Sequence, residues 1–468
     1  MSQSLHIDPP QFTASDRSLW KPRVREHRDP LSEEYLATRG IDPDCTQILT
    51  GHQAGFWHCG ILAKTLAAGA LCDRLDKTGE RCVQLGHIVV DQDDNDAGLI
   101  EYPSRDASGA IVVRQWRIAP HIEGRPMGLR EPIDDCAAPT DGATDVVNSG
   151  LGEIARAIRA NSHEPSLAMQ MSRAAHDVIE ARCPDAGVWP LGSALGISRS
   201  KAFAHVVERM LADPRACVEA YNRAASEFSA AGIRPLALSD NEDRIELPIW
   251  RITSDGLRVN ARVADVRAAI DANNLASLAP KALLMTAFLR VFACDLFIHG
   301  TGGGEYDKVM QRWLELWPAV GKFTHSPFIA QNLAPAVVAT ATVRLPLLDA
   351  PIPTAAEVAR ARWLAHAAHH NPALLNDPDA AHAKDLTLAA IRTDSKPDRL
   401  TAYRALHADL AAYREQHADE LTRLDADAAK LATLRAAAGP ALRRTWPFPL
   451  APHHALAELD ARVRAFFA

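Results

Sequence analysis

At four places the chain runs through a short apolar stretch of strand length and then stops abruptly at glycines or acidic residues. Residues 47–50 end in Gly51-His52-Gln53-Ala54-Gly55, and residues 83–90 end in the acidic run 91–96. Residues 234–238 end in Ser239-Asp240-Asn241-Glu242-Asp243, and residues 295–298 end in His299-Gly300-Thr301-Gly302-Gly303-Gly304. After the first stop, Ile61, Leu62, Thr65, Leu66, Gly69, Ala70 and Leu75 fall on one helical stripe, so the unit reads strand, glycine turn, helix. With 83–90 it makes a βαβ unit, which demands parallel strands and a right-handed crossover. A helix over 305–317 follows the fourth run. The expected class is therefore α/β, with a parallel sheet whose strand ends carry polar loops. Ligands of such sheets bind beyond the carboxyl ends of the strands.

A chain of 468 residues is too long for one ordinary core. Polar sequence over 103–150 gives way to helical patterns at 151–160, 166–182 and 200–230, which reads as an insertion into the sheet domain. The expected division is a discontinuous core (1–110 and 231–350), an inserted, mostly helical connecting region (111–230) and a C-terminal helical domain (351–468). In the last of these, Leu406, Leu410, Tyr413, His417, Leu421, Leu424, Ala428 and Leu431 alternate steps of three and four. That spacing is a heptad seam, open to two readings: an antiparallel hairpin packed on its own chain, or a coiled coil that joins two copies. A final helix is expected over 452–467.

The formal charge is −7, and no dense Lys/Arg run interrupts it, which excludes nucleic acid as an expected partner. The most apolar window, 283–298, is broken by Arg290 and Asp295 and is too short to span a bilayer. The first ten residues lack the cationic start and apolar stretch of a secretion signal, so a cytoplasmic protein without membrane contact is expected. Eight cysteines are scattered with no C-x-x-C pair, which points to mostly buried thiols and not to a zinc or redox site.

Chemistry concentrates at the strand ends. Gly51, Gly55 and Gly60 let backbone amides approach a ligand, and a helix starting near His58 offers its positive end to a phosphate or carboxylate. Neither a Walker A loop nor a G-x-G-x-x-G spacing is present. His58-Cys59-Gly60-Ile61 is similar to the H-x-G-H signature of nucleotidylyl-transferring enzymes, with Ile61 in place of the second histidine. His52 and His58 are alternatively packed or capping histidines. Asp91, Asp93, Asp94 and Asp96 could hold Mg²⁺, orient an amine or supply a general base, or form a solvated turn. An EF-hand register fails, because Ala97 and Ser104 fall on ligand positions. Four carboxylates so close repel one another unless something positive joins them. The stretch His299 to Glu305, with Gly302, Gly303 and Gly304, suits a flexible loop enclosing an anionic or sugar-like ligand, with Glu305 as an acceptor. His366, His369 and His370 read as solvent-facing, and no metal ligand is assigned.

Taken together, these motifs resemble the bacillithiol-synthesis cysteine-adding enzyme family. Thr50-Gly51-His52-Gln53-Ala54-Gly55 is similar to that family's T-G-Q-Q-A-G segment except at His52. The stretch 91–96 is similar to its E-D-H-D-x-D at Asp94 and Asp96, with Asp91 a conservative exchange, and Gly302, Gly303, Gly304 and Glu305 echo its G-G-P-G-E-x-x-Y loop without the proline. The resemblance implies a Rossmann-like core, a C-terminal coiled-coil dimer, ATP or ADP as cofactor with Mg²⁺, and ligation of cysteine to the amine of a glucosaminyl malate. His52, Asp94 and Asp96 become the candidate catalytic residues. Gly51, Gln53, Gly55, His58, Asp91, His299, Gly302, Gly303, Gly304 and Glu305 become the candidate binding residues for substrate or nucleotide. A nucleotidyltransferase and a non-catalytic nucleotide- or sugar-binding dimer are the alternatives.

Overall fold

The computed structural model describes residues 9–79, 82–187, 189–317, 321–348, 352–393 and 396–468. It is a mixed α/β structure that separates into two compact units. One holds residues 113–345 together with 9–104 and 444–468; the other holds 346–443 together with 105–112. The helical stretch expected as an insertion thus lies in the same unit as the sheet.

The described strands are β1 (Gln11–Ala14), β2 (Thr46–His52), β3 (Val83–Val89), β4 (Leu99–Arg105), β5 (Ile111–Arg117), β6 (Leu191–Ser193), β7 (Glu246–Ile252), β8 (Arg258–Arg262), β9 (Leu278–Pro280), β10 (Leu296–His299) and β11 (Ala336–Thr342). The central sheet runs β1-β11-β10-β2-β3-β6; β1 is antiparallel and all its other pairings are parallel. The five parallel strands, counted in chain order, therefore lie 3-2-1-4-5, and the order reverses between β2 and β10. β4 and β5 form a hairpin, and β8-β7-β9 a small antiparallel sheet.

Helices of this unit are α1 (Pro30–Ala37), α2 (Cys59–Thr78), α3 (Asp145–Ala160), α4 (Leu167–Arg182), α5 (Lys201–Ala212), α6 (Pro214–Glu227), α7 (Val263–Asp271), α8 (Ala282–Phe288) and α9 (Thr301–Leu316). Their starts are written in the sequence. Thr144, Ser166, Ser200 and Asp213 each accept a hydrogen bond from an amide in the helix's first turn, and Pro214 opens α6. Gly79 closes α2 in the left-handed region, φ +69°. Alternate residues of the central strands enter opposite layers. Leu49, Ile88 and Phe297 join Phe203, Phe288 and Trp313 in one core beneath α1, α5, α8 and α9, each large side chain contributing roughly 2 kcal/mol. Their neighbours Ile48, Thr50 and His87 face α2 and α4.

Three expectations change here. Residues 234–238 form no strand: Pro235 has no donor for a ladder, and the Asn222 side chain takes both backbone groups of Leu236, at 2.7 and 2.9 Å. The remaining parallel strands are instead β6 and β11. Cys45 and Cys82 form a disulfide at the amino ends of β2 and β3, so these two are not free thiols; the other six cysteines are. Gly302, Gly303 and Gly304 belong to the first turn of α9 and not to an open loop.

The second unit contains α10 (Ala355–Ala368), α11 (Pro378–Thr393), α12 (Lys396–Gln416), α13 (Ala418–Ala437) and the short α14 (Gly439–Leu442). The heptad seam is interrupted at His417, which separates α12 from α13 and contacts Asp377 and Glu420 at 3.0 and 2.9 Å. α11 packs on α12 and α10 on α13, the nested order of a chain folded back on itself. Leu406, Leu410 and Tyr413 are buried against Leu375, Leu388 and Ile391. His369 is not simply solvent-facing, since its Nε2 lies 3.1 Å from Asp425. The final helix of the first unit, α15 (His453–Phe467), follows the expected span and packs on α2. Among the described residues no helix is long and apolar enough to cross a membrane.

Candidate functional site

The reversal of strand order places the ends of β2 and β10 side by side, with α2 and α9 leaving toward opposite layers. Such a point is where open parallel sheets bind ligands. Ile298 pairs with Thr50, whose hydroxyl donates to the Ile298 carbonyl at 2.8 Å. Gly51 is required at the next position: a Cβ there would lie 2.7 Å from the Ile88 carbonyl oxygen on β3. Gly55 follows at φ +141°, and the Trp57 indole donates to the Gln53 carbonyl at 2.7 Å, which fixes the turn. His58 caps α2, its Nδ1 accepting from the Gly60 amide at 3.0 Å. Burial, with Arg444 and Lys64 nearby, pulls His58 down to about 4. Burial first, then Lys64, pulls His52 to about 3, so at neutral pH it is an uncharged hydrogen-bonding ring.

Sequence reasoning passed over Lys64, the one charged residue between Cys59 and Cys72. It projects from α2 to the end of β2, where its Nζ donates to the Gly51 carbonyl at 2.6 Å. It is 2 % exposed, and among the described residues no carboxylate pairs with it. Burial pulls its amine down to about 7. A lone charged residue inside an otherwise small and apolar helix was the available signal. His87 stacks on Trp57 at 5.0 Å between ring centroids, and among the described residues neither of its buried ring nitrogens has a hydrogen-bond partner.

The acidic run after β3 is neutralised from within the protein. Arg258, on the strand β8, binds Asp93 at 2.7 Å and also Asp94, while the Gly124 amide donates to Asp94 at 2.9 Å. Arg117 holds Asp96 at 2.7 Å. Asp91 is buried and braces β3 against β6 by accepting from Ser193 Oγ at 2.5 Å and from the Leu195 amide at 2.8 Å. Burial raises its pKa, against these hydrogen bonds. The repulsion that suggested a bound cation is thus relieved by arginines distant in sequence.

Contacts tie the three expected segments to one edge of the sheet. Gln53 donates to Asp93, Asn95 donates to the Ala54 carbonyl at 2.9 Å, and the position of a Gly300 Cβ lies 3.7 Å from Ile61. The side chains do not all converge, however. His52 shares the α2 face with Gly300, whereas His299 leaves toward the α9 face, its ring 4.6 Å from that of Phe297. Gly302 and Glu305 are exposed, Gly303 and Gly304 half-buried, and Glu305 pairs with Lys308 at 2.8 Å.

A cavity of about 400 Å³ opens at the opposite, amino edge, beside Thr46, Val83 and Asp295. Its central acid is already saturated: Asp295 is held by Arg25 at 2.8 Å, by Arg28 at 2.5 Å and by the Gln47 amide at 2.9 Å. The carboxyl edge, where Lys64 and the candidate motifs meet, is the stronger candidate. Among the described residues no cluster of three or more His, Cys, Asp or Glu side chains is arranged to hold a metal ion. No known protein-family model matches the chain, and no curated protein sequence matches it at a significant level.

Proposed function

We propose that the core is Rossmann-like and that the protein is an amide-forming ligase working at the carboxyl edge between β2 and β10. It would join cysteine or a similar acid to the amine of an amino-sugar conjugate, with ATP as the activating nucleotide. The observation that carries the location is Lys64, a buried amine with no carboxylate partner among the described residues, set at the end of β2 and in the helix whose amino end faces the same edge. A buried cation site of this kind favours an anion, either a carboxylate or a phosphate. The reaction class rests on the motif resemblance at residues 50–55, 91–96 and 302–305.

In this reading Gly51, Gln53, Gly55 and His58 shape the turn around the anionic group, and Lys64 supplies its countercharge. Asp94 and Asp96 could recruit an ammonium group or Mg²⁺ only by competing with Arg258 and Arg117, so these ion pairs set the cost of that step. The same reading places the protein in the cytoplasm, as a homodimer through α10–α13; its mass in solution by light scattering tests the dimer.

The deciding experiment incubates the full chain with ATP, cysteine and glucosaminyl malate and follows nucleotide products and amide by mass spectrometry. ADP, phosphate and an amide product support the ligase. Pyrophosphate in place of ADP moves the assignment to nucleotidyl transfer. No nucleotide turnover and no thermal stabilisation by any of the three compounds rejects an enzyme of either kind at this edge.

A further inference from the structure

His299 ends β10, and Asp307 is in the second turn of α9, so a strand and the helix that follows it bring the two side chains together. Nε2 of His299 is 3.3 Å from Asp307 Oδ1, and among the described residues neither atom has another hydrogen-bond partner, although both are buried. The other carboxylate oxygen is held by Arg290 at 2.6 Å, and Arg290 is itself anchored by donating through Nε to the Ala334 carbonyl at 2.7 Å. Burial alone would raise the Asp307 pKa, but the contacts of His299 and Arg290 outweigh it and hold the carboxyl below its ordinary value. Arg290 gives the carboxylate a permanent positive partner on that oxygen. A neutral ring that turns its Nε2–H to Asp307 keeps the lone pair on Nδ1. The contact is long for a hydrogen bond, as such pairs often are before substrate binds.

Nδ1 faces the glycine turn. A Cβ on Gly303 would lie 2.5 Å from it, while beside Gly302 nothing lies within 4 Å. Glycine is a poor helix former relative to alanine, so three in succession at a helix start need a reason. At Gly303 the reason is room for the imidazole edge.

We propose that His299 is a proton acceptor on the α9 side of the carboxyl edge, acting through Nδ1, with Asp307 as the positioning residue that fixes its tautomer. The geometry stands alone; only the identity of the proton donor rests on the ligase reading. There, the substrate ammonium gives a proton to Nδ1, and the freed nitrogen lone pair forms the C–N bond at the carbonyl of an acyl phosphate made from the acid and a nucleoside triphosphate. The C–O bond to phosphate breaks, and phosphate leaves with the electron pair and takes up the second proton that the nitrogen releases as the amide forms.

The test uses full-length protein labelled with ¹⁵N-histidine, with the His299 signals identified by their loss in His299→Gln. The expected wild-type state at neutral pH is the Nε2–H tautomer, and Asp307→Asn should shift it. In turnover, Asp307→Asn should lower kcat about a hundredfold with KM nearly unchanged, and Asp307→Glu should recover part of the loss. Gly303→Ala, which crowds Nδ1, should lower kcat in the same way and serves if Asp307→Asn does not fold. An Nδ1–H tautomer in the wild type overturns the proposal, as does unchanged kcat in the folded variants. Absence of amide formation by the wild type would reject the ligase reading, and the tautomer measurement would still decide the dyad.

Discussion

Replacing Lys64 by methionine should stabilise the protein at pH 6, and progressively less as the pH rises. The folded chain holds this amine at about 7, against an ordinary 10.5, because burial disfavours its charge. Below pH 7 the lysine is protonated in both folded and unfolded chains, and the folded state bears the full penalty of a buried charge. Between pH 7 and 10.5 the unfolded chain alone carries the proton, so the penalty declines, and it vanishes above 10.5. The drop corresponds to about 5 kcal/mol below pH 7 and about 2 kcal/mol at pH 9. Methionine forfeits the hydrogen bond to the Gly51 carbonyl, worth about 1 kcal/mol, so the expected net gains are about 4 and about 1 kcal/mol. Urea unfolding at pH 6, 7.5 and 9 measures them through tryptophan fluorescence. Of the nine tryptophans only Trp363 lies in the 346–443 helical segment, so the signal reports the sheet unit. A variant that is less stable than wild type at pH 6, with a difference that does not change with pH, would refute the reasoning, because the amine would then be charged and well solvated or paired. The functional counterpart is that ATP should raise the melting temperature of wild type at pH 6.5 more than at pH 9, and should fail to do so in Lys64→Met.

Arg258→Ala should cost about 2 kcal/mol by removing the arginine that Asp93 and Asp94 share, and millimolar Mg²⁺ should then raise the melting temperature of the variant more than that of wild type; equal responses would show that the carboxylates do not face one another closely enough to share a cation. Thiol titration in denaturant should count six reactive cysteines without reductant and eight after reduction. Cys82→Ala should lower stability by about 4 kcal/mol for a loop closed over a separation of 37 residues, and a loss below 1 kcal/mol would show that the bond is not formed in solution.

The readable parts of the fold were contiguous ones. β2, its glycine turn, α2 and β3 follow within 44 residues, and each was announced by local chemistry: an aliphatic run, a cluster of glycines, an apolar helical stripe and a second aliphatic run. β6 was not readable, because three residues, Leu191-Gly192-Ser193, carry no periodicity and owe their place to pairing with β3. The run at 234–238 had strand composition, but a side chain from α6 claimed its backbone, a tertiary event that composition does not record. The same holds for the acidic run. Its charge was obvious, while its partner Arg258 stands 164 residues from Asp94. The glycines of 302–304 were read as a flexible loop around a ligand, whereas they open a helix in which Gly303 leaves room for the protein's own imidazole.

These differences change what the carboxyl edge can be asked to do. The acidic side arrives already paired, so an incoming ammonium or Mg²⁺ gains little net field there until an arginine is displaced. The α2 side presents the opposite condition, a buried amine whose charge no carboxylate balances, and an anion bound beside it both removes that penalty and raises the amine's proton affinity. Electrostatics therefore favours occupation by the anionic partner first, whichever molecule carries it. The residues that make this so, Lys64, Arg258 and Arg117, lie outside the three motifs that drew attention to the edge.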